Sequence, residues 1–250
     1  MKKKIYPILS LIIALVLWQV VVLGLNIPPY ILPSPSAVVL ALWQDGSILA
    51  QHLVVTFLES LLGLLLAAFL AFTTALVIDR WHGIYLTLYP WLVISQTIPI
   101  MVLGPILILW FGFGLFPKII LVFLMSYFPI VIAFSEALGK VAAEKLLFLQ
   151  IMGANTKQIY TRLKIPASMD GFFAGCKLAA TYCVSGAVIG EWLSAKSGLG
   201  YYMIRVKNGY QIDKVFAAII CVILISLGFN VLVLMTKKTY NYFLIKRGTS

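Results

Sequence analysis

The run LLGLLLAAFLAFTTALVI, residues 61–78, carries no charged side chain, and several comparable runs recur along the 250 residues. About twenty apolar helical residues are enough to cross the ~30 Å hydrocarbon layer of a bilayer. A water-soluble domain needs charge on roughly a quarter of its residues; here Asp, Glu, Lys and Arg make up 11%. The chain therefore reads as an all-α polytopic membrane protein. The apolar runs predict six helices, over residues 5–25, 54–78, 84–109, 118–137, 171–193 and 215–236. The opening MKKKIYPILSLIIALVLWQVVVLGL has the basic start of a signal peptide, but its apolar stretch is too long and no small-x-small site follows. It reads as a retained first span.

Prolines mark the irregular places. Pro90, Pro99 and Pro105 must kink or break the third span. Irregular backbone at membrane depth survives only where protein covers it or where it lines a water-filled path. SQTIPIMVLGP, residues 95–105, is thus either a pathway element or a packing kink. Between the first two spans, Pro28, Pro29, Pro33 and Pro35 impose an extended entry. Ser34 or Ser36 can then cap a short interfacial helix near 36–43, with Trp43 at headgroup level.

The formal net charge is +11, yet the basic residues are not gathered into an aromatic-interleaved surface as nucleic-acid binding requires. They fall between the spans. With the N-terminus inside, segments 1–4, 79–83, 138–170 and 237–250 hold Lys2, Lys3, Lys4, Arg80, Lys140, Lys145, Lys157, Arg162, Lys164, Lys237, Lys238, Lys246 and Arg247. The outer segments hold Lys196, Arg205, Lys207 and Lys214. That bias places both termini in the cytoplasm.

Small residues four apart let helices approach closely in lipid. Gly63, Ala67, Ala71 and Ala75 form one such row, and Gly171, Gly175 and Ala179, then Gly186 and Gly190, form another. The rows do not say whether the partner helix lies in the same chain. Glu59, Glu136 and Glu191 are charges at or within spans and so are functional candidates. Glu191 either lines the outer mouth or anchors the loop after it by accepting backbone N–H groups. Cys176, Cys183 and Cys221 lie in apolar spans as small buried residues, with no histidine or carboxylate nearby to complete a metal shell.

No phosphate-cradling G-x-x-x-x-G-K-[ST] occurs. There is no nucleophile triad and no intramembrane proton relay. Transport by such a chain needs an energy source docked from the cytoplasm, and residues 138–170 are the largest cytoplasmic segment. AEKLLFLQIM, 143–152, reads as a helix; Gly153 reverses the chain; Asn155 caps a second helix, NTKQIYTRLKI, which Pro166 ends. Both helices are too short to persist alone in water. Either a protein partner or the headgroup layer must hold them.

Gly153, Leu163, Ile165 and Pro166 match G-x9-[IL]-x-[LI]-P and resemble the cytoplasmic loop of permeases in binding-protein-dependent ABC importers. The pattern's usual Glu-Ala-Ala opening is replaced here by Leu147, Phe148 and Leu149. ILPSPSAVVLALW, IPIMVLGPILILWFGFG and GEWLSAKSGLGYYM are similar to the nitrate/sulfonate/taurine branch. KLAATYCVSGAVIGEWLSAKSGLGYYM is most similar to permeases for thiamine-pyrimidine precursors.

The resemblance implies a type I ABC importer permease fold forming one transmembrane domain over 1–250. Within it lie the first span and outer proline-rich segment (1–53), the core (54–236) with its coupling loop (138–170), and a cytoplasmic tail (237–250). It implies a non-enzymatic subunit that holds no cofactor of its own, ATP and Mg being bound by a partner ATPase. It also implies an extracytoplasmic binding protein and a second permease copy, simplest as a homodimer. Leu147, Gly153, Ala154, Asn155, Lys157, Arg162, Leu163, Ile165 and Pro166 would meet the ATPase. Pathway candidates are the polar or kinking mid-span residues Gln96, Pro99, Ser126, Tyr127, Tyr182 and Ser185, with Glu191. A self-sufficient secondary transporter and a membrane scaffold are the alternatives; the sequence offers no coupling-ion site for the first, and the second fits the small-residue rows but leaves the broken third span unexplained.

Overall fold

The computed structural model describes residues 2–248, with side chains for all of these except 2–5, 7, 245, 247 and 248. The side chains of Lys2, Lys3, Lys4 and Arg247, counted above for orientation, and the last two residues of the predicted tail therefore lie outside what is described. The described residues are helical, with no strand among them.

Helix α1 (Lys2–Gly24) leads to α2 (Pro35–Gln44), then α3 (Gly46–Arg80), α4 (His82–Ser95), α5 (Ile100–Phe111) and α6 (Leu115–Gly139). After these come α7 (Ala143–Ile151), α8 (Thr156–Ile159), a π-helical turn (Tyr160–Lys164), α9 (Ile165–Ser194), α10 (Leu199–Asn208) and α11 (Ile212–Gly248). Among the described residues, four stretches are long and apolar enough to cross a membrane: Gly46–Arg80, Leu115–Gly139, Thr156–Ser194 and Ile212–Leu244. The apolar part of α1, Ile8–Gly24, is shorter.

The third predicted span is not one helix. Helices α4 and α5 meet at a bend of 100°. Pro90 and Pro105 stay inside helices, and the break falls at Pro99, which caps α5 with φ −63° and ψ 117°. Thr97 and Ile98 take short-range bonds to Ile94 and Ser95, and the Thr97 hydroxyl also donates to the Ile94 carbonyl. Local hydroxyls thus compete for the carbonyls a continuing helix would use, and the missing N–H of Pro99 completes the break. The short helix after the first span is α2, capped by Ser34, whose hydroxyl accepts the Ala37 N–H. Ser36 instead bonds Gln19 of α1.

Three helices make the centre. Ala67, Ala71 and Ala75 of α3, and Ala179 of α9, have no exposed surface. The α9 row lies against α6: Gly171 faces Ala133 and Ala137, Gly175 faces Pro129 and Ile130, Gly186 faces Val122, and Gly190 faces Lys118. A Cβ at Gly175 would sit 2.7 Å from the Ile130 Cα, so only glycine permits this separation. Gly63 of α3 meets Val122 from the other side. Phe72, Phe134 and Phe172 interlock between the three helices, and Phe57 stacks on Phe229 of α11 with centroids 5.1 Å apart. The outward faces of α1, α3 and α11 keep large apolar side chains exposed, as a lipid-facing surface does.

Candidate functional site: an elbow and two polar clusters

Helix α7 buries none of its residues. It ends in a Schellman turn: the Gly153 N–H reaches the Gln150 carbonyl, and the Ala154 N–H reaches Leu149, both at 2.9 Å. Gly153 has φ +78°, which a residue with a Cβ resists. Asn155 then opens α8 through a capping box. Its side chain accepts the Gln158 N–H at 2.9 Å, while the Gln158 side chain accepts the Asn155 N–H at 2.8 Å. Paired caps at one corner fix the angle between α7, which is too short to persist alone in water, and the helical path that begins at Thr156.

Pro166 does not end the second helix. The chain runs on as one continuous path from Thr156 to Ser194, with Pro166 in the first turn of α9. The π-helical turn explains this, for there the Ile165 N–H bonds the Tyr160 carbonyl five residues back. The wider turn relieves the clash that a proline ring makes with the carbonyl four residues before it.

The elbow leaves Leu147, Phe148, Ile151 and Met152 more than half exposed. Glu144, Lys145, Phe148, Leu149, Arg162 and Leu163 line a cleft of about 410 Å³ on it. Gly153, Asn155 and Lys157 are exposed; Ala154, Ile165 and Pro166 are half-buried. Ile159 is buried against the bundle. Asp79, one residue from the end of α3, fixes the elbow's root. Its carboxylate accepts the Tyr160 hydroxyl at 2.5 Å and the Lys164 ammonium at 2.8 and 2.6 Å.

A second polar cluster lies at the opposite end of α3. Lys118 pairs with Glu59 at 2.5 Å, both almost fully buried. Glu191 accepts from the Thr56 hydroxyl at 2.7 Å and from the Gly200 N–H at 2.6 Å. Thr56 in turn accepts the Leu199 N–H at 2.8 Å, and His52 accepts the Gly198 N–H. Glu191 is 1% exposed; its Oε2 holds the start of the helix that follows, at Gly200, and its Oε1 holds Thr56 of α3. Gly198, with φ +110°, and Gly200 pack directly on this carboxylate. Nearby, Asp45 accepts from Tyr202 at 2.6 Å and pairs with Lys214 at 2.9 Å, tying the α2–α3 corner to α10 and α11. Burial pushes the Asp45 carboxyl up, but the Tyr202 and Lys214 bonds outweigh it and hold it below the usual range. Burial and the Asp45 charge both push the Tyr202 phenol up.

The remaining sequence-chosen residues are scattered. Gln96 and Tyr182 share a cleft of about 180 Å³ at the α4–α5 break, with Phe128 and Pro129. Pro99 is exposed beside it. Ser126 is fully buried, and the Tyr127 hydroxyl donates to Thr74 at 3.0 Å. Ser185 lines a separate apolar groove of about 560 Å³ with Met101, Trp192 and Met203. Sequence reasoning missed Asp79, Lys118, Thr56 and Asp45. Their signal is chemical: each is a lone polar group near the end of an apolar run, which must find a partner across the bundle.

Residues 61–239 match the family model described as binding-protein-dependent transport system inner membrane component. A Haemophilus influenzae protein named "Probable ABC transporter permease protein" is 36% identical over 221 residues, covering 88% of this chain and 90% of its own. The formylaminopyrimidine transport permease protein ThiX of Halalkalibacterium halodurans is 32% identical over 225 residues, with 89% and 90% covered. The riboflavin transport system permease protein RibX of Chloroflexus aurantiacus is 30% identical over 225 residues, with 89% and 84% covered.

Proposed function

Since the chain belongs to the family of binding-protein-dependent transport system inner membrane components and is a multi-pass ABC transporter permease of the cell membrane, we propose that it is the passage subunit of an ATP-driven importer. A small organic nutrient, delivered by an extracytoplasmic binding protein, would cross between two copies of this chain. ATP and Mg belong to a separate ATPase subunit docked on the elbow, and this chain performs no catalysis. Both termini lie in the cytoplasm with the elbow, as the distribution of Lys and Arg supports.

The observation that carries this reading is the elbow itself. A doubly capped corner presents Leu147, Phe148, Ile151 and Met152 to the outside without covering them. Rigid presentation of an apolar ridge favours insertion into a partner's cleft over loose contact with headgroups. Closure of the ATPase dimer on ATP would displace the elbow and rock the bundle between inward and outward access; hydrolysis would reset it.

For the cargo, the thiamine-pyrimidine precursor reading gains support from the 32% identical formylaminopyrimidine permease. A sulfonate-, taurine- or nitrate-like solute is the next choice. Selectivity would rest largely on the receptor, since relatives of nearly equal identity carry names with different cargoes.

The test is co-purification followed by reconstitution. The chain should bring down an ATPase subunit, and Ala154→Asp should abolish substrate-stimulated ATP hydrolysis while the protein stays in the membrane. Uptake by the chain alone in liposomes under an ion gradient would overturn the reading.

A further inference from the structure

Apart from the buried Ile159, the elbow joins the bundle through its chain connections, from α6 into α7 and onward into α9, and through the side-chain clamp on Asp79. We infer that Asp79 is the positioning residue that carries elbow displacement into α3 and on to the broken span formed by α4 and α5. This inference rests on the reading of the elbow as the ATPase dock.

The geometry has three parts. First, the donors to Asp79 are Tyr160 and Lys164, the first and last residues of the π-helical turn. That turn is the one departure from α-helical bonding between α8 and the end of α9, and such turns are common where a helix serves a functional purpose. An elbow pushed from outside therefore has a place to yield, and the residues bounding it grip α3 rather than α9.

Second, the clamp is bidentate and largely dry. Lys164 contacts both carboxylate oxygens while Tyr160 shares one of them, and the Lys164 and Asp79 side chains are 15% and 8% exposed. The ammonium also lies 5.3 Å from the Tyr160 ring centroid. Charge-assisted bonds of this kind are directional and stronger than neutral ones, so Tyr160, Lys164 and Asp79 move as a unit. Third, Asp79 lies three residues before His82, where α4 begins. The route runs from elbow to Asp79, across the Arg80–Trp81 corner, along α4, and reaches the break beside Gln96 and Tyr182. Helix α9, by contrast, is locked glycine-to-backbone against α6.

The assay uses the assembled transporter with its ATPase and binding protein in proteoliposomes, following uptake and ATP hydrolysis together. Asp79→Asn should keep the ATPase bound and its basal hydrolysis running. Uptake per ATP should fall roughly tenfold, within the 5–150-fold range of allosteric couplings. The exchange Asp79→Lys with Lys164→Asp should restore most of that ratio, which ties the loss to the ion pair; a purely local structural role would instead lower ATPase binding and basal hydrolysis together with uptake. Wild-type uptake per ATP in Asp79→Asn with the ATPase bound overturns this inference and leaves the docking reading standing. A chain that binds no ATPase overturns both.

Spin labels at Thr161, exposed on the π-helical turn, and Gly83 of the otherwise wild-type assembly keep the test independent of how the variants fold. Their separation should stay constant between nucleotide-free and ATP-locked states. A change of about one helical turn, ~5.4 Å, would show that elbow and α4 are not linked.

Discussion

Replacing Lys118 by Met tests the cluster that ties α3, α6 and α9 together. The ammonium sits 2.5 Å from Glu59, and Glu59 and Glu191 are each 1% exposed. Glu191 already has Thr56 and Gly200 as partners, so the group left stranded is Glu59. Breaking a buried pair from one side costs about 3–5 kcal/mol. An upper bound at neutral pH comes from protonating the stranded acid, which for a Glu of ordinary pKa near 4.3 costs about 3.7 kcal/mol at pH 7. At roughly 2–4 °C per kcal/mol for a chain of this size, a loss of about 3–3.7 kcal/mol should lower the thermal midpoint by about 6–15 °C. Fluorescence-detected melting in nanodiscs reads this through the chain's 6 tryptophans. Protonation becomes cheaper in acid, so the gap to wild type should narrow toward pH 5. Glu59→Gln added to Lys118→Met should recover at least half of the loss. A single variant that melts with wild type, or a double variant that recovers nothing, would refute the reasoning.

Two further outcomes follow from the packing and the charges. Gly175→Leu should abolish a monodisperse fold in size-exclusion chromatography, since its Cβ would meet the Ile130 Cα at 2.7 Å and the Pro129 carbonyl at 2.9 Å. Gly83→Leu, with nothing within 4 Å, should behave as wild type. Asp45, held below its ordinary value by Tyr202 and Lys214, contributes stability that is full above about pH 3.9 and is lost as pH falls through its lowered value. Asp45→Asn should therefore be less stable at neutral pH and show a flatter acid limb; equal acid limbs would contradict that.

Much of this molecule is legible in its sequence because lipid imposes simple rules. Apolar runs located the long helices, and the glycine rows marked close helix contacts, which the structure places within one chain. Gly153 and Asn155 gave the elbow's corner, since a left-handed turn and a cap each demand few residue types. What escaped depended on distance in space. Leu199, Tyr202, Met203 and Val206 repeat at helical spacing and are all buried in α10; the pattern was there, but a ten-residue helix between two long spans is easily read as loop. Pro166 looked like a stop because a proline rule written for α-helices does not foresee the wider turn before it. The ion pair of Glu59 with Lys118 joins positions 59 residues apart, and nothing local to either predicts the other.

An elbow that couples transport to ATP must lie in the cytoplasm and be covered by the ATPase. The most direct measurement is labelling of Phe148→Cys with a membrane-impermeant maleimide, against a background in which Cys176, Cys183 and Cys221 are all buried. Labelling should occur in inverted vesicles only, and should be lost when the ATPase subunit is bound. Labelling from the outside, or labelling unchanged by the ATPase, would contradict it.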